Sequence, residues 1–134
     1  PGTGDEPLTV CQLLNSSPSR GTVIVTTPQS VSVLDARRTI DFSKQLKMPI
    51  LGLVENMAGY LGPDGSILPL FGEGGGQAAA EELSIPFLGS VPMDPKAVKL
   101  SEQGKALLEE ETGIRSHFDR VIDGIVTAMP ATKS

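Results

Sequence analysis

Two glycine-rich segments of this sequence are of the kind that can bind phosphate. Gly2-Thr3-Gly4-Asp5 precedes a predicted helix, so its backbone N–H groups could face a phosphate at a helix start. Residues 72–76 precede another predicted helix, but no Lys or Ser directly follows them, and Glu73 would repel an anion. We interpret this second segment as a turn and a helix entry. The chain contains no Gly-x-x-x-x-Gly-Lys-Ser/Thr motif, whose Lys binds phosphates and whose hydroxyl binds Mg²⁺.

Polar residues follow two of the predicted strands. Asn56 comes just after the strand at residues 50–54, and Pro92-Met93-Asp94 follow the strand at residues 87–91. Open α/β sheets bind their ligands at the carboxyl ends of such strands. The side-chain amide of Asn56 can both donate to and accept from the edge of an adenine ring. The alternative is that Asn56 caps a local turn.

The sequence offers few metal ligands. Its one cysteine, Cys11, excludes an intrachain disulfide and lies on the apolar face of a predicted helix, which predicts an inert core thiol. His117 has no Cys, His or carboxylate at a metal-binding spacing, so we expect a histidine at the surface or at its boundary. Gly62-Pro63-Asp64-Gly65 predicts a tight turn. We predict no metal site and no catalytic residue.

Short apolar strands alternate with helices along the chain. The predicted strands are residues 22–26, 50–54 and 87–91, and residues 59–71 are predicted to form a loop or small hairpin. The predicted helices are residues 5–14, 32–46, 76–83, a helix that starts at Asp94-Pro95, and residues 112–127. This alternation predicts an α/β fold, with a parallel sheet covered by helices on both faces.

The composition restricts the partners. The 134 residues carry a formal net charge of -5 and no basic block, which argues against nucleic acid and anionic membranes as partners. No apolar run approaches the roughly 20 residues that span a bilayer. A single cysteine and the lack of a signal pattern favour a cytoplasmic location.

Four segments in combination resemble one protein family. They are residues 22–29, 49–57, 71–76 and 87–95, and together they resemble the Mrp/ApbC-type ATPases, the iron–sulfur carrier branch of the ParA/MinD-like P-loop proteins. The resemblance runs from Pro1 to about Leu107. It implies a partial P-loop NTPase fold in which residues 1–129 are the C-terminal half, without the N-terminal P-loop half, and residues 130–134 a frayed tail. We therefore expect at least one strand to precede residue 1.

The resemblance also implies functions for individual residues. Gly2, Thr3 and Gly4 match a switch loop that senses the terminal phosphate of a nucleotide. Asn56 and the loop Pro92-Met93-Asp94 match loops that hold the base and the ribose. The intact protein is thus expected to bind ATP with Mg²⁺, while this chain alone is expected to be inactive as a hydrolase.

One family feature is absent from the sequence. Typical members have Cys-Pro-x-Cys where this chain has Gly62-Pro63-Asp64-Gly65, so Gly62 and Gly65 occupy the positions of the cluster ligands. An iron–sulfur cluster needs soft thiolate ligands, which glycine cannot supply. The resemblance therefore implies a carrier that delivers clusters to apoproteins, but cluster binding by this chain is not expected.

Two alternatives from other functional classes stay open. The chain could be a non-catalytic dimerisation or interaction module that pairs through a sheet edge or through the loop between Tyr60 and Phe71. It could also be a ParA/MinD-like regulator without cluster chemistry, which the lost cysteines favour and the overall family match disfavours. In each case a homodimer or another self-associated form is expected, because an uncovered edge of an apolar sheet invites pairing.

Overall fold

The computed structural model describes residues 5–108 and 112–129. The helices are α1 (Asp5–Leu14), α2 (Ser30–Gln45), α3 (Gly75–Glu82), α4 (Pro95–Glu102) and α5 (Arg115–Ala128), and the strands are β1 (Thr22–Thr26), β2 (Ile50–Leu61), β3 (Ile67–Leu68) and β4 (Phe87–Met93). Each predicted helix and strand is present. Most observed ends lie within a few residues of the predicted ones.

The sheet is built around β2. Strands β1 and β4 flank β2 and run parallel to it. Strand β3 pairs antiparallel with the far end of β2, where Tyr60 is opposite Leu68 and Leu61 is opposite Ile67. In the described residues, β1 and β4 each have a strand on one side only.

Helices cover both faces of the sheet, as predicted. On one face, Ile24 of β1 and Leu53 of β2 pack against Ala36 and Ile40 of α2 and Ala80 of α3. On the opposite face, the neighbouring strand residues pack against α5, in a cluster of Val54, Leu88, Val91 and Val121. Successive strand residues point to opposite faces, so Leu53 and Val54 belong to different clusters. The prediction of a parallel α/β sheet is confirmed.

Strand β2 differs from its prediction because it continues from residue 54 to Leu61. Its pairing with β4 is regular to Asn56 opposite Val91 and then shifts, with Tyr60 opposite Met93. The extra residues on β2 form a bulge in which Met57 has a φ of 55°, in the left-handed region that few residues other than glycine adopt. The end of β2 and β3 form the small hairpin that was one predicted alternative for residues 59–71.

Three further boundaries or placements were predicted wrongly. Strand β4 continues through Pro92 to Met93, and α5 begins at Arg115 rather than at residue 112. Cys11 is half-buried on a helix, α1, that has no buried residue, so it is not a core thiol. The prediction failed because the apolar side of α1 packs little against the rest of the described chain; Leu13 is 74% exposed.

Across the described residues, every helix is too short or too polar to cross a membrane.

Candidate functional site

Asn56 lies within β2 rather than just after the strand as predicted, because β2 runs on to Leu61. It stands where the regular parallel pairing of β2 with β4 ends, opposite Val91. Asn56 borders a cleft of about 280 Å³ between β1 and α2, and the residue is exposed. Four residues with hydroxyl groups line the same cleft, namely Thr26, Thr27, Ser32 and Thr39, and Thr27 Oγ1 donates a hydrogen bond of 2.8 Å to Ser32 Oγ. The cleft therefore combines an amide, several hydroxyls and apolar side chains of β1.

The charges around this cleft restrict what it can bind. Its lining includes one ionisable side chain, that of Asp35, and no Lys or Arg among the described residues. A triphosphate needs cationic partners or a cradle of backbone N–H groups. The described lining therefore offers hydrogen-bonding groups to an uncharged ligand and no cation to neutralise a phosphate.

The second predicted loop, Pro92-Met93-Asp94, lies beside β2 but does not line the Asn56 cleft. Met93 pairs with Tyr60, and Pro92 lines a separate cavity of about 240 Å³. Asp94 is 7% exposed and caps α4, because one carboxylate oxygen accepts from Lys96 N at 2.9 Å and the other from Gly113 N at 3.1 Å. The structure places this loop next to Asn56 along the sheet edge but does not bring the two into one cleft.

Sequence reasoning missed the buried carboxylate of Glu55. This residue is 3% exposed, and its Oε2 accepts a 2.7 Å hydrogen bond from the backbone N–H of Gly76. Its Oε1 accepts from the hydroxyl of Ser90 on β4 at 3.3 Å. The start of α3 carries unpaired N–H groups and a partial positive charge, so a carboxylate is a favourable partner there. An acidic residue directly after a buried apolar strand was the available signal.

The glycine run before α3 is a turn and a helix entry, as predicted. Gly74 has a φ of 69°, a conformation that suits glycine, and α3 begins at Gly75. The first turn of the helix receives the carboxylate of Glu55. The helix start that follows the glycine run is therefore already bound by a carboxylate of the same chain, and it does not form a phosphate cradle in this structure.

The hairpin between β2 and β3 closes with the predicted tight turn. Gly65 N donates to Gly62 O at 3.0 Å, and Gly65 has a φ of 81°. The hydroxyl and the backbone N–H of Ser66 both donate to Asp64 Oδ1, and these hydrogen bonds lower the pKa of Asp64 below its ordinary value. The turn is thus fixed by its own polar groups.

A larger cleft, of about 590 Å³, separates this hairpin from the starts of α4 and α5. Gly62, Gly65, Lys96 and His117 are among its lining residues. His117 is half-buried, as predicted, and its Nδ1 donates to the carbonyl of Ser90 at 3.1 Å. In the residues that the structure covers, no three His, Cys, Asp or Glu side chains converge as a metal site would require.

The predicted switch-loop residues Gly2, Thr3 and Gly4 lie outside the described residues. The same holds for the predicted tail at residues 130–134.

Comparison with known proteins decides the family. Residues 1–128 match the family model described as ParA: NUBPL iron-transfer P-loop NTPase. The chain belongs to this family of iron-transfer P-loop NTPases. The resemblance predicted from the four sequence segments is confirmed.

Curated relatives of this P-loop NTPase support the assignment. It is 40% identical over 134 residues to an iron-sulfur cluster carrier protein of Methanocaldococcus jannaschii, covering 99% of this chain and 46% of that protein. It is 42% identical over 131 residues to a cytosolic Fe-S cluster assembly factor, the NUBP2 homolog of Nematostella vectensis, covering 95% of this chain and 47% of the relative. The chain spans about half the length of these relatives.

A solved structure supports the fold. The chain superposes on a nucleotide-binding protein from Archaeoglobus fulgidus, solved in complex with ADP, with a TM-score of 0.70 and 37% identity. The match covers 87% of this chain and 47% of that one. The partial P-loop NTPase fold predicted from sequence is confirmed.

Proposed function

We propose that this chain supplies the base-binding side of the nucleotide site in an iron–sulfur cluster carrier or assembly protein. The observation that carries the proposal is the position of Asn56, exposed on β2 where its regular pairing with β4 ends, beside a cleft whose described lining has no Lys or Arg. A family relative of known structure was solved with ADP. The amide of Asn56 would read the polar edge of adenine, and the Thr27 and Ser32 hydroxyls would face the base or the ribose.

We propose that the described residues of this chain do not bind the phosphates and Mg²⁺. ATP hydrolysis requires a Lys on the phosphates and a hydroxyl and an acid for Mg²⁺. The sequence has no such Gly-Lys-Ser/Thr segment, and the glycine run at α3 is bound to Glu55. We therefore expect the chain alone to hydrolyse no ATP, while the parent protein acts as an ATPase.

The iron–sulfur cluster is the cargo of the proposed parent protein. Relatives are named as cluster carriers and assembly factors, and one is named as cytosolic. The chain itself offers one thiol, Cys11, on α1, whereas a cluster usually requires four thiolates. We propose a role in nucleotide-dependent cluster transfer in the cytosol, with the thiolates supplied from outside this chain.

Adenosine is the probe that tests the base site by itself. Amide chemical shifts of the labelled protein are followed by NMR during titration with adenosine, which has no phosphate. The expected result is saturable shifts at residues 26–27, 32 and 56, which line the cleft, with a dissociation constant on the order of 1 mM, as suits a small neutral ligand on an open site.

Two variants make the titration specific. Asn56→Ala should abolish the saturable shifts. Asn15→Ala removes another exposed asparagine, in the turn after α1, and should leave them unchanged. Shifts that persist in Asn56→Ala, or that never saturate in the wild type, would contradict the proposed site.

A second candidate function is that of an interaction module. The hairpin carries exposed apolar side chains, with Tyr60 at 40%, Ile67 at 43% and Leu68 at 59% exposure. Its tip is a compact turn with no thiol. If adenosine does not bind, contact with another protein through this hairpin is the better-supported function.

A further inference from the structure

The cleft between the hairpin and the starts of α4 and α5 differs in charge from the Asn56 cleft. Its volume of about 590 Å³ is within the range of pockets that bind small molecules. Lys96 and His117 are among its lining residues. The Asn56 cleft, by contrast, has Asp35 in its described lining and no Lys or Arg. Because the whole chain has a net charge of -5, a cleft that contains an ammonium group is a specific place for an anion.

The polar side chains of this cleft come from three separate elements. Tyr60 belongs to β2, Lys96 to α4, and Ser116 and His117 to α5. Tyr60, Lys96 and Ser116 are exposed residues. In the described part of the chain, no salt bridge involves Lys96. An ammonium and two hydroxyls are hydrogen-bond donors, so the cleft brings together groups that suit the oxygens of an anion.

The ring of His117 is fixed by the neighbouring strand. Its Nδ1 donates to the carbonyl of Ser90 on β4 at 3.1 Å, and the residue is half-buried. Nε2 is therefore the ring nitrogen that remains for a ligand, and it is a donor in the imidazolium form. The imidazole thus adds a fixed polar group beside the mobile ammonium of Lys96.

The carboxylates near this cleft are already bound within the chain. Asp94 lines the cleft but is buried, and its two oxygens accept from the backbone N–H groups of Lys96, at 2.9 Å, and Gly113, at 3.1 Å. Asp64, in the turn of the hairpin, is not a lining residue, and its Oδ1 accepts from the N–H and the hydroxyl of Ser66. Both negative charges are therefore partly compensated by donors, which leaves the ammonium to attract a ligand.

We propose that this cleft binds a small organic molecule through an anionic group, a phosphate or a carboxylate. Lys96 supplies the positive charge, and the hydroxyls of Tyr60 and Ser116 supply hydrogen bonds. Apolar lining residues can contact the rest of the molecule, namely Leu61, Pro63 and Pro95. The site is separate from the proposed base site, because the two clefts share no lining residue.

Titration of the full chain with phenyl phosphate, followed by NMR, tests this site. The sequence contains one histidine, so the ring signals of His117 report on the cleft without ambiguity. We expect saturable shifts of these signals and of the amides of residues 60, 96 and 116, with a dissociation constant on the order of 1 mM. Benzoate, titrated in the same way, shows which of the two anionic groups binds more tightly. Benzyl alcohol, which has a similar size and no charge, should give no saturable shift.

Two lysines of α4 provide a matched pair of variants. Lys96→Gln removes the charge from the cleft and should weaken phenyl phosphate binding about tenfold, as expected for the loss of one charged hydrogen bond. Lys96→Arg keeps the charge and should bind within about threefold of the wild type. Lys99→Gln removes the same charge from an exposed position of the same helix outside the cleft, and it should bind like the wild type.

The outcomes decide the proposal independently of the base site. Saturable binding of either anion that Lys96→Gln weakens and Lys99→Gln does not weaken supports the site. The proposal is overturned if neither anion shifts the His117 ring signals saturably, if benzyl alcohol binds as tightly as the anions, or if both Gln variants lose affinity equally. Adenosine should leave the His117 ring signals unchanged, and saturable adenosine shifts there would overturn the separation of the two sites.

Discussion

Gly76 donates its backbone N–H to the carboxylate of Glu55 at 2.7 Å, across 21 residues of sequence. A helix start preceded by glycines is a common place for a phosphate, and in this chain a carboxylate of the same chain occupies it. The glycine run is therefore part of the scaffold of the site. The exposed polar groups at the carboxyl edge of the sheet are those that remain available to a ligand.

The end of α2 offers a direct test of backbone strain. Lys47 has a φ of 54° after the last turn of α2, where its N–H donates to Lys44 O and Met48 N–H donates to Ser43 O. The equivalent position after α4 is Gly104, with a φ of 67°. Because this conformation favours glycine, Lys47→Gly should raise the free energy of unfolding by about 0.5–1 kcal/mol.

Urea denaturation measures this change, and Gly104→Ala is the reciprocal control. That substitution should lower the free energy of unfolding by about 1 kcal/mol, since nothing crowds its Cβ and only the φ is unfavourable. If Lys47→Gly instead lowers the free energy of unfolding, the lysine side chain stabilises the fold by more than its strained backbone destabilises it.

The ion pair between α2 and α3 should make stability depend on pH. Arg37 donates to both carboxylate oxygens of Glu82, and this hydrogen bonding holds the pKa of Glu82 below its ordinary value and raises that of Arg37. A carboxylate whose pKa is lowered in the folded state stabilises the fold at pH values above its ordinary pKa, about 4.3. This contribution is lost as the pH falls through the folded-state pKa. Glu82→Gln should therefore lower the free energy of unfolding at neutral pH. In acid, the difference in this free energy between the variant and the wild type should become smaller.

The effect is expected to be small, because Glu82 is largely exposed and its charge is screened by salt. Chemical denaturation at a series of pH values measures it, with Glu102→Gln on α4 as a control for removing one negative charge. An unchanged gap between wild type and Glu82→Gln at all pH values would refute the coupling.

The turn of the hairpin, which has glycines at residues 62 and 65, allows a test of whether missing thiols prevent cluster binding. The wild type should form no stable cluster on anaerobic reconstitution, and Gly62→Cys combined with Gly65→Cys should move it toward a cluster shared between two chains. The Gly65 substitution should cost about 1–2 kcal/mol of stability, because its φ is 81°. Visible absorption with iron and sulfide analysis is the measurement.

Gly72→Cys combined with Gly74→Cys is the matched control for that experiment. Gly72 and Gly74 are exposed and have positive φ, at 92° and 69°, as Gly65 does, but they lie outside the hairpin. A stoichiometric cluster in the wild type would overturn the account of the missing thiols. A cluster of equal yield in the control would show that the hairpin has no special geometry.

Sequence patterns predicted the layers of this fold but not its central polar contact. Short apolar strands alternating with helices predicted a parallel sheet covered on both faces, and the position of Asn56 after the predicted strand suggested a place for a ligand at the sheet edge. The bulge was missed because Met57 and Gly59 resemble loop residues until the pairing of Tyr60 with Met93 is known. Glu55 was missed because its donors are 21 and 35 residues away.

The free edge of β1 should make the isolated chain self-associate. In the described residues β1 pairs only with β2, and Val25 on β1 is 60% exposed. A charge on such a strand blocks edge-to-edge pairing, so Val25→Lys should shift the protein toward monomer. Val98→Lys is the matched control, because Val98 is also 60% exposed but lies on α4.

Sedimentation velocity over a concentration series reports the oligomeric state. The wild type and Val98→Lys are expected to associate alike. A wild type that stays monomeric at high concentration, with a cooperative melt, would contradict the exposed-edge account.

The ratio of the affinities for adenosine and ATP tests the division of the nucleotide site most directly. If this chain holds the base but has no partners for the phosphates, calorimetry should give adenosine and Mg²⁺-ATP dissociation constants within about threefold of each other. No turnover of ATP should accompany binding. Mg²⁺-ATP bound about a hundredfold more tightly than adenosine, or hydrolysed at a steady rate above a tag-only control, would contradict the account, since the chain would then contain a phosphate site.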